Sequence, residues 1–179
     1  MLKAKQTERY IVGIELNRRA AQTARLHLDK VYQDDVQDAQ LDELASSFDC
    51  IIYGDILEHL AQPLEAMERL QPLLKKNGYV VVSVPNVQFY YVILSLLRGR
   101  WTYADRGIFD RGHLRFFTEY EIQRLLSEVG YHVITAARSY RLLERPSRIN
   151  VAAAVIAKIP LLRPFFTYQY VLLAQKQTE

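Results

Sequence analysis

A single cysteine, Cys50, leaves this sequence without an internal disulfide, which fits a reducing, cytoplasmic setting. Glycine is sparse, with seven residues in 179. No signal-peptide architecture opens the chain. Long hydrophobic runs are missing too. The most apolar stretch, Ile149 to Phe166, is interrupted by Asn150, Lys158, Pro160, Arg163 and Pro164, so it does not read as a transmembrane span. A strong field of one sign is also lacking. The net charge of +3 does not call for nucleic acid, and no basic stripe is evident. Internal repeats and low-complexity segments are absent.

What is there suits one soluble globular domain spanning 1–179, with half of the residues hydrophobic and 24% charged. Strand-like and helix-like stretches alternate. Arg9–Ile14 reads as a strand with Glu15 at its carboxyl end. Asn17 caps a helix with Ala20, Ala21, Ala24 and Leu28 at helical spacing. Val31–Gln33 is a short strand ending in Asp34-Asp35, and Gln40–Ala45 holds a helical turn or two. The spacing predicts a helix from Pro63 to Lys75, with Leu64, Met67, Leu70 and Leu74 as its stripe, ended by Asn77-Gly78. Tyr79–Val84 is a strand and Gln88–Leu97 a helix. Thr118 to Glu121 form a capping box for a helix ending at Gly130. A strand at Tyr131–Ala137, a helix at Ser147–Ile159 and a strand at Tyr168–Ala174 follow. Such alternation means an α/β fold with a mostly parallel sheet, its last strand antiparallel at the edge.

The chain is organised around Phe48–Leu60, FDCIIYGDILEHL. Its apolar, β-rich half suits a strand buried in the middle of a parallel sheet, with Cys50 inside. Asp55 then lies at the carboxyl end, where open α/β sheets bind ligands. Glu58 and His59 are expected on the first turn of a helix. At i, i+3 and i+4, Asp55, Glu58 and His59 would share a face.

The order Glu15, Asp34-Asp35, FDCIIYGDILEHL, LLKKNGYVVVSVPN and HLRFFT resembles a class I S-adenosylmethionine (SAM)-dependent methyltransferase. The likeness is to the type 11/23 group, allied to ubiquinone-biosynthesis O-methyltransferases and glycan-associated methyltransferases. It runs from Arg9 to Tyr140, with Tyr168–Ala174 fitting the family's last strand. The resemblance implies a Rossmann-like, doubly wound sheet with helices on both faces. SAM would be the cofactor, with Glu15 on the ribose hydroxyls, Asp35 on the adenine amino group, the Val36 amide near the ring nitrogens, and Asp55 as a further cofactor contact. Asp34 replaces Asp35 if the register shifts by one. Without the resemblance, Glu15 is a solvated acid at a helix start and Asp34-Asp35 an acidic turn.

One family feature is missing. Glycines stand only at 13, 54, 78, 99, 107, 112 and 130, and none forms the G-x-G loop that lets backbone approach the cofactor. Met1–Glu8 resembles the end of the helix that follows that loop. The expectation is an N-terminally truncated domain, beginning one βα unit late and lacking the central strand of the order 3-2-1-4-5-7-6. The strands ending at Glu15 and Asp55 would then expose their inner edges, and the chain alone would bind SAM weakly.

His59 and His113 are the candidate catalytic residues, as general base or orienting group toward a small acceptor. Asp55, Glu58, His59 and His113 also resemble the E-x-x-E-H plus distal His pattern of metal-assisted O-methyltransferases, with Asp55 for the first Glu. Oxygen and nitrogen ligands would suit Mg²⁺, Mn²⁺ or Zn²⁺. Metal-free relatives share a similar L-E-H string, and a site without metal is the reading preferred. Residues 98–117, rich in Arg, Asp, Gly and aromatics, form a substrate loop or lid. Residues 141–166 form a helical insertion before the last strand. Its Arg141, Arg145, Arg148, Lys158 and Arg163 read as the solvated side of a core helix, or as a peripheral membrane contact for a lipid-linked substrate. Two functions follow: SAM-dependent methylation of a small hydroxylated or sugar-like acceptor, or a non-catalytic methyltransferase remnant or interaction subunit.

Overall fold

A computed structural model describes residues 9–143, 147–148 and 150–177. The expectations for Met1–Glu8 and Arg145 lie outside those residues. The chain divides into two compact units, Met1–Asp42 and Glu43–Glu179.

The first unit is a β-α-β turn. Strand β1 (Val12–Ile14) pairs in parallel with β2 (Lys30–Tyr32) across helix α1 (Arg18–Ala24). Asn17 caps the helix as expected, its Oδ1 accepting from the amides of Arg19 (2.9 Å) and Ala20 (3.1 Å). Gly13 is small for a reason of space, because a Cβ there would lie 2.7 Å from Leu28 Cδ1.

The second unit holds strands β3 (Phe48–Gly54), β4 (Leu74–Pro85), β5 (Tyr131–Tyr140) and β6 (Thr167–Lys176) in the order β3-β4-β6-β5. The α/β, Rossmann-like class therefore stands. Only β3 and β4 run parallel in this sheet, while β6 is antiparallel to both neighbours, so the sheet is mixed rather than mostly parallel. The centre of one face is buried: Tyr53, Val80, Val82 and Val84 line up with Tyr170, Leu172 and Ala174. Helix α2 (Pro63–Leu70) buries Ala66, Met67 and Leu70, and α4 (Glu119–Glu128) buries Ile122, Leu125 and Leu126. Thr118 caps α4, its Oγ1 accepting from the Glu121 amide at 3.2 Å.

Several expectations are corrected. β3 is an edge strand of its sheet, and Cys50 is exposed rather than inside. Partial burial, with Asp49 beside it, still pushes the thiol pKa up. Glu58 and His59 do not open an α-helix; Leu57–His59 is a single 3-10 turn and α2 starts at Pro63. Asp55 is off that turn at φ +52°. The helix predicted to Lys75 stops at Leu70, a 3-10 turn spans Gln71–Leu73, and Leu74 already pairs with Phe48.

Helix α3 (Tyr90–Leu97) follows β4, and α5 (Asn150–Ile156) and α6 (Arg163–Phe166) fill the connection from β5 to β6. α5 is not a core helix. It buries Ala153 and leaves Val151 and Val155 exposed. Asn86, after β4, is fully buried and clamps this region. Its Nδ2 donates to the carbonyls of Pro164 and Thr167, both at 2.7 Å, and its Oδ1 accepts the Gln88 amide at 2.9 Å. Asn86→Ala leaves those buried groups unpaired, and urea unfolding should register a loss of about 2 kcal/mol.

Residues 98–117 are irregular but anchored. Ile108 and Phe109 join Phe89 and Val92 in a buried cluster against which Trp101 packs. Phe117 is buried and bridges to Asn86. Phe116, its neighbour, is exposed, with its ring edge-on to Trp101.

Candidate active site

Glu58 ties the turn after β3 to the loop. Its carbonyl accepts the amides of Leu114 (2.7 Å) and Arg115 (3.0 Å). Arg115 also donates to the Ala61 carbonyl. The Glu58 side chain is 1% exposed, and its Oε2 has no hydrogen-bond partner. Burial pushes its pKa up to about 7; the carboxylates of Asp55 and Asp110 add to the rise, and a hydrogen bond from its own backbone opposes it.

The two histidines meet beside it. Their ring centroids are 4.8 Å apart, edge to face. His59 Nδ1 lies 3.0 Å from the Gly112 carbonyl, and His113 Nδ1 lies 3.2 Å from the Ile108 carbonyl. A carbonyl can only accept, so each Nδ1 carries the proton and each Nε2 keeps a lone pair in the neutral ring. Burial lowers the His113 pKa, and the bond to Ile108 works against that shift. The neutral form, the one able to take up a proton, is therefore favoured. Gly112 permits the close approach: a Cβ there would sit 3.1 Å from His59 Nδ1 and 3.1 Å from Asp110 Oδ1. The Gly112 amide donates to that Asp110 oxygen at 2.7 Å.

The ligand atoms of Glu58, His59 and His113 all lie within 4.8 Å of one another. Asp55, the fourth member expected from the sequence, is not part of that group. Its Oδ1 accepts from Ser83 Oγ (2.9 Å) and Gln169 Nε2 (2.7 Å), and Gln169 Nε2 also reaches Ser83 Oγ at 2.7 Å. Asp55 is thus fixed over the carboxyl ends of β3 and β4.

Glu15 and Asp35 belong to the other unit. The Glu15 amide donates to the Tyr32 carbonyl at 3.0 Å, which brings the carboxyl ends of β1 and β2 side by side. Glu15 Oε1 accepts the Asn17 amide and Asp35 Oδ1 the Gln37 amide, each at 2.8 Å. Val36 follows Asp35, partly buried. Asp34 instead turns inward on the chain, its Oδ1 accepting the Asp35 amide at 2.8 Å.

Sequence reasoning missed Ser83, Gln169 and Asp110. Ser83 stood in the quoted strand as its one polar residue among valines, which was a usable signal. Gln169 had none, because its position depends on the antiparallel register that pairs it with Pro85.

Residues 1–136 match the family described as a methyltransferase domain. Among curated proteins, the chain is 27% identical over 128 residues to the ubiquinone biosynthesis O-methyltransferase of Aromatoleum aromaticum, covering 68% of this chain and 54% of that protein. It is 23% identical over 151 residues to the protein of the same name from Neisseria meningitidis, covering 79% and 63%. The chain thus spans about half to two thirds of the length of these relatives. Among solved structures, a SAM-dependent methyltransferase from Archaeoglobus fulgidus aligns with a TM-score of 0.60 at 18% identity, over 92% of this chain and 75% of that one. One from Methanosarcina mazei aligns with a TM-score of 0.64 at 16% identity, over 99% and 87%. These likenesses bear on the fold.

Proposed function

This chain belongs to the methyltransferase-domain family, whose cofactor is SAM, and from that membership we propose that it serves methyl transfer to the hydroxyl of a small hydroxylated or sugar-like acceptor. The observation that supports it most is the His59–His113 pair, each ring held through Nδ1 on a carbonyl with Nε2 left to accept a proton. The relatives named for ubiquinone O-methylation favour a hydroxyl acceptor.

The residues present fit the nucleoside half of the cofactor. Two carboxylates stand at the carboxyl ends of neighbouring parallel strands, each oriented by an amide of its own turn. Glu15 would hold the ribose hydroxyls, and Asp35 with the Val36 amide the adenine edge. When bound, SAM supplies an electrophilic methyl group. His113 Nε2 accepts the acceptor's hydroxyl proton as that oxygen becomes the nucleophile. His59 orients His113 and the acceptor. Asp55, pinned by Ser83 and Gln169, adds a fixed acceptor at the strand ends. Most of the rate then comes from positioning.

Titration calorimetry of the protein with S-adenosylhomocysteine tests this. Glu15→Ala and Asp35→Ala should each weaken binding by about tenfold or more, as expected when a charged hydrogen-bond partner is lost. Absence of binding by the unaltered protein would favour the non-catalytic, interaction-subunit reading instead.

The clustering of a Glu58 carboxylate oxygen with the two imidazoles supports a second reading. These residues would hold a divalent cation, which lowers the pKa of a bound hydroxyl. On the metal-free reading, EDTA leaves methyl transfer unchanged. Loss in EDTA with recovery in Mg²⁺, Mn²⁺ or Zn²⁺ would select the cation.

A further inference from the structure

The insertion between β5 and β6 is built inside out. α5 and the turn after it bury Ala153 and Ala157, at 0% and 3% exposure, and show their larger side chains to solvent. Val151, Val155 and Ile159 recur at i, i+4 and i+8, at 71%, 60% and 53% exposure, and Leu161 follows at 80%. A helix stabilised only by its own domain would present its valines inward and its alanines outward. Helix α3 meets this insertion at its start and carries exposed apolar side chains of its own. Tyr90, at the start of α3, donates its hydroxyl to the Leu142 carbonyl and stacks on Phe166. Asn150 Oδ1, at the start of α5, accepts the amides of Leu142 and Leu143 at 2.9 Å. Further along α3, Leu96 and Leu97 are 53% and 78% exposed.

Along the two segments that carry these side chains, the charges have one sign. No Asp or Glu occurs from Gln71 to Ala104, nor from Arg145 to Thr178, although the chain has 20 acidic residues. Arg98 and Arg100 follow α3, and Arg148 and Lys158 flank α5, all exposed. We infer that this face docks on an anionic lipid bilayer, with the α5 valines, Ile159 and Leu161 entering the headgroup–acyl boundary and the basic residues meeting lipid phosphates. Among the described residues no helix is long and apolar enough to cross a membrane, so the contact is interfacial. The strand register places the patch at one end of the sheet: Tyr140 pairs with Thr167 and Pro85 with Gln169. Gln169 also holds Asp55. The docking face and the carboxyl-end site thus share one end of the unit, the arrangement that would let an acceptor enter from the bilayer surface.

The test is cosedimentation with vesicles of phosphatidylcholine alone and of phosphatidylcholine mixed with phosphatidylglycerol. The protein should pellet with the mixed vesicles, bind phosphatidylcholine far less, and be released by salt. Val151→Glu with Val155→Glu should abolish pelleting. Arg148→Glu with Lys158→Glu should lower partitioning by about tenfold or more. All four side chains are exposed, so unchanged circular dichroism is expected; Leu161→Glu serves as an independent variant if either pair misfolds. Equal pelleting of the valine variant, or none of the wild type with the mixed vesicles, would overturn the inference. So would concentration-dependent dimerisation without lipid that the same valine substitutions abolish, because the face would then be a contact between copies.

Discussion

Glu58→Gln is expected to stabilise the protein at pH 7.5 by about 3 kcal/mol relative to the parent and to flatten its stability between pH 4.5 and 7. The carboxyl is buried without a partner for Oε2, and its pKa rises on folding from 4.5 to about 7. A group with a raised folded pKa holds its proton more tightly when folded. Below pH 4.5 both states are protonated and there is no penalty. As the pH climbs toward about 7, the unfolded chain gains by ionising while the folded one cannot, so stability falls. This is the reverse of an ion-paired carboxylate. Urea unfolding at half-unit pH steps, parent against variant, reads the difference. Parallel curves across the window would mean that Glu58 ionises in the fold at its ordinary value.

His113→Ala should lower methyl transfer by roughly 10²–10⁴-fold, the range for loss of a general base, while binding of S-adenosylhomocysteine stays unchanged. With 3,4-dihydroxybenzoate as a model acceptor, the acid limb of the parent's rate profile should lie below the ordinary imidazole value of 6.5, since burial lowers the His113 pKa. His59→Ala should cost less, as its role is to orient. Equal losses of turnover and cofactor affinity would instead assign His113 to support of the fold.

The features legible in the sequence were the local ones. Asn17 and Thr118 cap their helices because capping requires only a side-chain oxygen next to the first free amides. The pairing of Glu58, His59 and His113 was also visible, as residue types in a recurring pattern. Their environment was not. Nδ1 of each histidine is fixed by carbonyls of Gly112 and Ile108 within a loop that has no period to read. The residues of the turn at Leu57–His59 suit an α-helix. A left-handed Asp55 and Pro63 at the first helical position confine it to one 3-10 turn. Leu74 fits a helical stripe by spacing, yet pairing with Phe48 draws it into β4. The valines of α5 mislead in the same way, since their helical spacing suits a core helix and yet both are exposed.

Glu58 offers its main chain to the loop and its side chain to the histidines. That double duty limits how such domains can be recombined. A loop transplanted as 98–117 alone would meet a carbonyl and a carboxyl placed by foreign residues. The heritable cassette is residues 55–61 together with 98–117, two segments far apart in the gene. On the proposed function, chimaeras of relatives with a crossover between positions 62 and 97 should separate the halves of that cassette, whereas crossovers outside it should pass acceptor preference on intact.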